Sequence, residues 1–466
     1  MMNTPNTERI VRFIVQTEFD DIPDKALSVV REAMMDCVGV ALAGVRQPAG
    51  EIAAKWALSA AGSQQSTIWG AGFKTSAHDA ALVNGCSAHA LDFDDVTWGL
   101  IGHPSASLVP AVLTLGELIG ASGKSVVLAY AVGFEVMAKL GRTTQPKHSL
   151  EGGWHATSSV GSFGTAAACC KLLSLNSEQI GRALGIVYSM TSGNVSNFGT
   201  MSKPLHAGLA ARNGLQSAQL SQLGFTSLPH PFDGPRSFHE VYSRGLPVDM
   251  SPLGELGSKY ELATRGVVIK PYPCGIAIHP GIDAAMDLRK EFKIQPEDIE
   301  RIEIGVTRYT FDKLSYHLPT TGLEAKFSME YGVARALTEN RVTVEAFTDQ
   351  AVQAAPIQKL LPRIKMSIDD EIERKWKIGS RPVHLRVWLK NGKVIEKKVD
   401  ISRGNPEFPL TVAELEAKFA DCAKFSLTPG SVKAAMEALK EVDTLEDISE
   451  LTGLLAGSLV ATSSRA

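Results

Sequence analysis

The chain has 466 residues, of which 44% are hydrophobic and 21% are charged, a composition typical of a globular protein with two or three domains. Its 47 basic and 50 acidic residues give a formal net charge of -3, so no field over the whole chain would favour nucleic acid. An anionic ligand would therefore need a local basic pocket.

The six cysteines form no CxxC pair, and none has zinc-binding spacing with a histidine. Most stand in runs of Ala, Gly and Val, where a thiol fills space as a small apolar group, and this usage suits a reducing cytoplasm. The N-terminal segment carries charges and turn residues where a signal peptide needs an apolar stretch. No run of about 18 apolar residues occurs. We therefore expect a cytoplasmic protein without a membrane span.

Helical patterns dominate the first half of the chain. One helix is predicted to begin at Pro23, with an apolar face formed by Leu27, Val30, Met34 and Val38. The helices are rich in Ala and Gly, which lets helix axes approach closely. Another long helix is predicted after Pro204, because few breakers occur before Gly224, and Ser202 is a candidate for its N-terminal cap.

The pattern changes near residue 265. Alternation at Ile302, Ile304 and Val306 predicts a strand, and Asn391-Gly392 between two alternating runs predicts a β-hairpin. Helical patterns return from about residue 411. The sequence thus predicts a mainly α fold, with a large all-helical domain from residues 1-267 and 409-466 and a smaller inserted α+β domain from residues 268-408.

The first candidate site is the segment HALDFDDVTWGLIGHPS, which contains His89, Asp92, Asp94, Asp95 and His103. Several carboxylates beside histidine could bind a divalent cation. A proton-transfer site, in which an aspartate fixes the tautomer of a histidine, is the favoured interpretation. The purely structural alternative is that Asp94 or Asp95 caps a helix.

The second candidate site is GGWHATSSVGSFGTAAA, where His155 stands in a glycine-flanked loop before an apolar helix. Ser158 and Ser159 are predicted to start that helix, whose amide groups would suit a carboxylate. A core histidine bonded to the backbone is the alternative.

The third candidate site is the segment FGTMSKPLHAGLAARNG. Lys203 precedes Pro204, and His206 follows one helical turn later. Because a helix N-terminus favours anions, a lysine there makes sense when an anionic substrate shares the site. A solvated surface lysine is the alternative.

Two further candidates lie in the predicted α+β region. Lys270, Tyr272, Cys274 and His279 fall within ten residues at the predicted domain junction, and clefts between domains commonly bind ligands.

The second of these candidates is the segment EAKFSMEYGVARAL, which contributes Lys326 and Tyr331. Packing is an equally good explanation of Tyr331. The chain has no GxSxG elbow, no P-loop and no GxGxxG after a strand.

These segments together resemble the MmgE/PrpD family. The resemblance runs through IPDKALSVVREAMMDCVGVALAG, HALDFDD with GHPSASLVPAVL, GWHATSSVGSFGTAAA, MSKPLHAG and VIKPYPCGIAIHP, in that order and over nearly the full length. It implies a large helical domain built from both chain ends, a smaller α+β lid domain, an active site between them, and usually a homodimer.

The resemblance also implies chemistry on small di- or tricarboxylates, without a metal or an organic cofactor, at a carbon beside a carboxylate. The positions that match the family's site are Asp92, His103, His155, Lys203, Lys270 and Tyr331.

Within the family, three reactions are open to the chain. The decarboxylase branch has a histidine at the position of Gly275, which disfavours cis-aconitate decarboxylation, and the 2-methylcitrate dehydratase branch differs around DFDDVTWGLIGHPS. Elimination favours a cofactor-independent epimerase of an iminodisuccinate-like amino-dicarboxylate. The dehydratase and decarboxylase lyases, a catalytically silent carboxylate-binding protein and a metal-dependent hydro-lyase are the alternatives.

For that epimerase, Lys203, Lys270 and His103 are predicted to hold carboxylates and to stabilise an enediolate-like anion. His155 is the first predicted base, opposed by Tyr272, Lys270 or Tyr331. Asp92 is predicted to orient a histidine. The other predicted substrate contacts are Asp94, His206, Cys274, His279 and Lys326.

Overall fold

The structure is a computed structural model that describes residues 4-145, 148, 151-339, 341-376 and 380-457. The chain divides into two compact units, one formed by Met1–Val268 and Thr411–Ala466 and the other by Ile269–Leu410. We call the first the helical unit and the second the α+β unit. The helical unit is built from both ends of the sequence.

The N-terminal part of the helical unit is a series of helices rich in small buried residues. These are α1 (Asn6–Gln16), α2 (Asp24–Gly44), α3 (Pro48–Ser59), α4 (Ala77–His89), α5 (Ser105–Ile119), α6 (Gly123–Thr144), α7 (Ala156–Ser159), α8 (Gly161–Leu172), α9 (Ser177–Tyr188), α10 (Ser202–Gln222), α11 (Phe238–Tyr242) and α12 (Glu261–Thr264). Short 3₁₀ turns occur at Phe19–Asp21, Val195–Asn197 and Ser251–Glu255. The predicted mainly α fold is confirmed.

The prediction of a purely helical domain is wrong in one detail. Two short strands, β1 (Ser66–Ile68) and β2 (Phe73–Thr75), pair in antiparallel fashion within the helical unit. The Glu117 carboxylate accepts hydrogen bonds from the Thr67 amide at 2.9 Å and hydroxyl at 2.7 Å. This side chain comes from α5, so no local pattern in the strand sequence signals the pairing.

The helices α2 and α10 cover the predicted segments. The predicted cap of α10 is wrong, because Ser202 is its first helical residue and makes no side-chain cap bond. The Thr200 hydroxyl instead accepts the Ser202 amide hydrogen at 3.2 Å.

The α+β unit contains one four-stranded sheet in the order β4-β3-β5-β6. The strands are β3 (Ile299–Val306), β4 (Ile364–Ile368), β5 (Val383–Leu389) and β6 (Val394–Val399). Its helices are α13 (His279–Phe292), α14 (Arg308–Lys313), α15 (Gly322–Ala325), α16 (Met329–Thr338), α17 (Asp349–Val352), α18 (Ala355–Leu360) and α19 (Asp370–Lys375). Its 3₁₀ turns are Ile276–Ile278, Pro296–Asp298, Val344–Phe347 and Leu361–Arg363.

The predicted strand at Ile302–Val306 lies in β3, and the predicted hairpin joins β5 to β6 as an antiparallel pair. Gly392 has φ +84°, a left-handed conformation that glycine adopts without strain. β3 and β4 pair in parallel, and the helices between them in the chain form the crossover connection that parallel strands need.

The chain then returns to the helical unit through α20 (Val412–Ala423), α21 (Pro429–Lys440) and α22 (Ser449–Leu454), with a 3₁₀ turn at Val442–Thr444. The α20 helix packs on α2 at Gly39, where an added Cβ would lie 2.9 Å from the Phe419 ring. In the part of the chain that the structure describes, no helix is long and apolar enough to cross a membrane.

Two glycines let α4 and α10 cross in direct backbone contact. A Cβ added at Gly208 would lie 2.2 Å from the Leu82 carbonyl oxygen, and one added at Gly85 would lie 2.8 Å from the Gly208 Cα. His89 follows Gly85 by about one turn, and Lys203 and His206 precede Gly208 on α10. The crossing therefore brings these three side chains into one region.

Replacing Gly208 with Ala is expected to destabilise the protein by about 1–3 kcal/mol, because the new methyl group must displace backbone. Urea unfolding at neutral pH measures the effect. The control is Gly430→Ala in α21, where no neighbour lies within 4 Å of an added Cβ. It should be neutral or stabilising by up to about 1 kcal/mol. Equal destabilisation by both changes would contradict the proposed crossing.

Candidate active site

The loop after α4 carries the aspartates of the first predicted cluster. Asp92 has φ +52°, a left-handed conformation that aspartate tolerates better than most residues. Its amide donates to the His89 carbonyl at 3.2 Å, so the turn follows directly from the helix end. The turn places Asp92 and Asp94 on either side of the buried Phe93.

Asp94 is fully buried between two imidazoles. Its carboxylate lies 2.9 Å from Nδ1 of His89 and 3.0 Å from Nδ1 of His103. Burial by itself raises the pKa of a carboxyl group, but the charges and hydrogen bonds of His103 and His89 hold the pKa of Asp94 well below its usual range. Burial lowers the pKa of His89 to about 3 in spite of Asp94. Asp94 is thus an anion that accepts a hydrogen from a neutral His89.

Asp92 makes the second carboxylate contact of His103. Its Oδ1 lies 3.1 Å from Lys203 Nζ and 3.6 Å from His103 Nε2. His103 is therefore flanked by one carboxylate at each ring nitrogen. The sequence predicts Asp92 as the residue that orients a histidine, but Asp94 is the carboxylate that closely contacts two imidazoles. Asp94 is fully buried, which disfavours its predicted direct contact with substrate.

His155 and His206 form a second imidazole pair, with their Nδ1 atoms 3.0 Å apart. One ring must donate and the other accept, so their tautomers are linked. Burial, followed by the charges of His89 and Lys203, lowers the pKa of His155 well below its usual range. Burial also lowers the pKa of His206. His155 is consequently a neutral imidazole that could accept a proton.

The two histidine groups adjoin each other. The ring centroid of His89 lies 4.3 Å from that of His103 and 5.8 Å from that of His155. Phe198 contacts the edge of His155, and its ring lies 5.3 Å from Lys203 Nζ. Phe198 is the first residue of the third candidate segment, but the sequence predicts no role for it. Together these side chains form an imidazole-rich cluster within the helical unit, with the Lys203 ammonium beside the Asp92 carboxylate.

The position of His103 is set by neighbouring hydrogen bonds. Its amide donates to the Thr157 hydroxyl at 3.0 Å. Ser105 follows His103 by two residues and begins α5. The Asp95 carboxyl group accepts hydrogen bonds from the Ser105 amide at 3.2 Å and from the Ser105 hydroxyl at 2.5 Å. Burial raises the pKa of Asp95 well above its usual range. Asp95 therefore performs the helix-capping role that the structural alternative assigns to it.

Ser158 and Ser159 do not start a helix as predicted. The short helix α7 begins at Ala156 with His155 as its N-cap, and both serines lie inside it, fully buried. The Ser159 hydroxyl lies 2.6 Å from Nε2 of His148. The amides of both serines donate to the His155 carbonyl, at 2.9 and 3.1 Å, which disfavours the predicted carboxylate site there.

His89, Asp92, Asp94 and His103 could also supply metal ligands, since one ligand atom from each lies within 4.8 Å of the others. Imidazole and carboxylate together suit zinc and related ions. However, Asp92 already faces the Lys203 ammonium, and Asp94 already faces two imidazoles. The Lys203 ammonium offsets the charge of Asp92, and His89 and His103 already occupy the Asp94 carboxylate, so we interpret the cluster as a proton-transfer site and assign no metal.

In the α+β unit, the predicted tyrosines are bonded to protein groups. The buried Tyr272 hydroxyl donates to Asp283 at 2.7 Å, and burial with the Asp283 charge raises the pKa of Tyr272. The Tyr331 hydroxyl donates to the Ala346 carbonyl, and burial raises the pKa of Tyr331 to about 12. Both arrangements disfavour the predicted role of these phenols as bases.

The remaining predicted residues of that unit are also buried. Lys326 Nζ donates to the Pro273 carbonyl at 2.9 Å, and His279 Nε2 lies 3.2 Å from the Cys274 carbonyl. Cys274 is fully buried, and Lys270 is 1% exposed. The roles predicted for Lys270, Cys274, His279 and Lys326 stay predictions.

The fold and this cluster define a mainly α protein with a buried, imidazole-rich candidate site, and comparison with known proteins places it in a family. Residues 8–251 match the MmgE/PrpD N-terminal domain, and residues 272–444 match the MmgE/PrpD C-terminal domain. The chain belongs to the MmgE/PrpD family.

Curated relatives match nearly the full length. The chain is 28% identical to a cis-aconitate decarboxylase of Homo sapiens over 98% of this chain and 96% of the relative. It is 28% identical to the enzyme of that name from Mus musculus, over 99% of this chain and 95% of the relative. It is 25% identical to that from Aspergillus terreus, over 96% of this chain and 95% of the relative. These matches overturn the prediction of an epimerase, which depended on general similarity and on elimination from Gly275 and the segment DFDDVTWGLIGHPS.

The burial of His89 predicts a definite pH dependence of stability. Because burial lowers the pKa of His89 to about 3, an unfolded histidine takes up a proton near pH 6.5 that the folded one does not. His89 therefore reduces stability as the pH falls below 6.5. The difference in unfolding free energy between wild type and His89→Gln should shrink by about 2 kcal/mol from pH 8 to pH 5.

Chemical unfolding at both pH values measures this difference, and the exposed His230→Gln variant is the control, for which no change is expected. If His89 were instead a charged partner of Asp94, the wild type would gain stability at pH 5, and the difference would grow.

Proposed function

We propose that this protein is a decarboxylase of an unsaturated tricarboxylate of the cis-aconitate type. The observation that carries the proposal is the near full-length similarity to proteins of that name in animals and a fungus. The cluster of Lys203, His103 and His155 supports it, because it combines an ammonium group for a carboxylate with imidazoles for proton transfer.

The chemistry needs a single proton. In cis-aconitate, one carboxylate is carried on a CH₂ group beside the C=C bond. When the C–CO₂ bond breaks, its electron pair forms a new C=C bond, and CO₂ leaves. The electrons of the original C=C bond take a proton at its far carbon. The trianion and one proton thus become a dianion and CO₂.

His103 is the proposed proton donor. An imidazole flanked by Asp92 and Asp94 is electrostatically suited to carry a second proton. Lys203 is the proposed contact for a substrate carboxylate, since its ammonium is buried near the same histidine. His155 is proposed to return a proton to the cluster or to orient the substrate, because its imidazole is neutral.

The direct test incubates the purified protein with cis-aconitate in D₂O. Release of one CO₂ per turnover, with one deuterium at the former alkene carbon by NMR, is the expected result. Addition of water without CO₂ would instead indicate a dehydratase-type lyase. Activity should survive exhaustive chelation, and its loss would favour the metal-dependent alternative.

Replacing His103 with Gln tests its role as proton donor. The expected result is a fall in kcat of about 10²–10⁴-fold, with KM changed much less, because general acid catalysis is lost while the carboxylate contact remains. Steady-state CO₂ release measures it, with the exposed His230→Gln as control. A kcat near wild type would remove His103 from the mechanism.

Family membership also supports a homodimer, which we include in the proposal. Light scattering of the purified chain at micromolar concentration tests it. A mass near 49.9 kDa would indicate a monomer and would contradict it.

A further inference from the structure

A lysine near the C-terminal end of the chain contacts the loop that carries Asp92 and Asp94. Lys418 on α20 donates from Nζ to the Phe93 carbonyl at 2.8 Å. The same ammonium is ion-paired with Asp36 on α2 and lies 3.8 Å from the centroid of the Phe93 ring. Lys418 is 8% exposed, Phe93 5% and Asp36 1%. A buried cation therefore donates a hydrogen bond to Phe93, the residue between Asp92 and Asp94.

Burying this ion pair contributes little to the free energy of folding, because both charges lose their hydration. Removing two charges from water costs several kcal/mol per ion, and well-packed apolar side chains often replace a buried ion pair without loss. A buried pair is therefore better explained by what it holds in place. Here the ammonium holds a backbone carbonyl, which an apolar replacement of the same volume could not do.

The backbone that carries Lys418 is fixed by contacts between α20 and α2. Gly39 on α2 admits the Phe419 ring so closely that an added Cβ would lie 2.9 Å from it. After α20, the Ser426 hydroxyl donates to the Leu42 carbonyl at 2.6 Å. Because α20 and the turn after it are held on α2 at Phe419 and at Ser426, the reach of the Lys418 side chain to Phe93 is also fixed.

The contacted loop has a reason to need support. Asp92 is held at φ +52°, a conformation that costs an L residue about 1 kcal/mol or more. The Phe93 carbonyl belongs to the peptide that leads into Asp94. Its hydrogen bond to Lys418 fixes the plane of that peptide, and so the direction from which the Asp94 carboxylate meets His89 and His103.

We propose that Lys418 is a positioning residue for the active site, anchored by Asp36 and acting through Phe93 on the Asp94–His103 contact. The proposal deepens the proposed function and rests on it for its kinetic readout. Lys418 does not touch the reacting groups. Its effect should therefore appear in the rate of the chemical step rather than in substrate affinity.

The test uses Lys418→Met together with the double variant Asp36→Asn/Lys418→Met. The single variant leaves a buried carboxylate without its cation and is expected to unfold more readily. The double variant removes both charges, so its thermal midpoint should return close to wild type. Its kcat should still fall about 10–100-fold, with KM within about threefold, because a displacement near 1 Å costs that much in an ordered site.

A second readout separates positioning from packing. In the double variant, the pH profile of kcat should shift, because His103 no longer meets Asp94 at the same distance. A loss of stability alone would leave the shape of that profile unchanged. The control is Lys424→Met, an exposed lysine at the end of the same helix, which should leave kcat and the profile as in wild type.

A folded double variant with wild-type kcat and an unchanged pH profile would overturn the proposal. If the wild type itself releases no CO₂, the proposed function fails, and imidazole ¹⁵N NMR then decides the positioning proposal. The ring signals of His89 and His103 should move in the double variant and stay in place in Lys424→Met. Unmoved signals would overturn the proposal without any measurement of activity.

Discussion

The buried carboxylate of Asp94 is the constraint on which the rest of the candidate site depends. A carboxylate with no solvent exposure is stable only when hydrogen-bond donors surround it, and here two imidazoles supply them. Each imidazole presents Nδ1 to Asp94, which fixes the orientation of its ring. His103 is then left with Nε2 facing Asp92, whose Oδ1 also contacts the Lys203 ammonium. The contact of His103 Nδ1 with Asp94 thus determines where Nε2, the proposed proton-donating nitrogen, points.

The contact works only because the helices approach closely. Gly85 and Gly208 allow α4 and α10 to touch backbone to backbone, which brings the end of one helix and the start of the other together. His89 belongs to the first helix, and Lys203 and His206 belong to the second. Helices kept apart by larger side chains would separate these groups. Small residues in this sequence are therefore a condition for the charge arrangement, as well as for packing.

Local patterns allowed much of the fold to be predicted. The hairpin at Asn391-Gly392 and the helices α2 and α10 each depend on neighbouring residues, so their signals are present in short segments. The pairing of β1 with β2 could not be predicted, because each strand has three residues and a partner from α5 binds the edge. The histidine motifs were found, but which aspartate bonds which ring depends on a left-handed turn at Asp92.

The least predictable contact joins residues 325 positions apart, Lys418 and Phe93. Helix periodicity places Lys418 on α20 but cannot show that its ammonium is buried against a distant loop.

The reaction itself was also predicted wrongly, and the reason is physical. Gly275 is one position, whereas the similarity to decarboxylases extends along nearly the whole chain. An epimerase needs two bases that reach opposite faces of one carbon. In the cluster described here, the ring centroids of His103 and His155 lie 4.3 and 5.8 Å from that of His89. A decarboxylation that shifts the double bond needs proton delivery to one carbon and a cation for the carboxylates that stay. In the proposed decarboxylation, His103 delivers that proton and Lys203 holds a carboxylate, and both side chains contact Asp92.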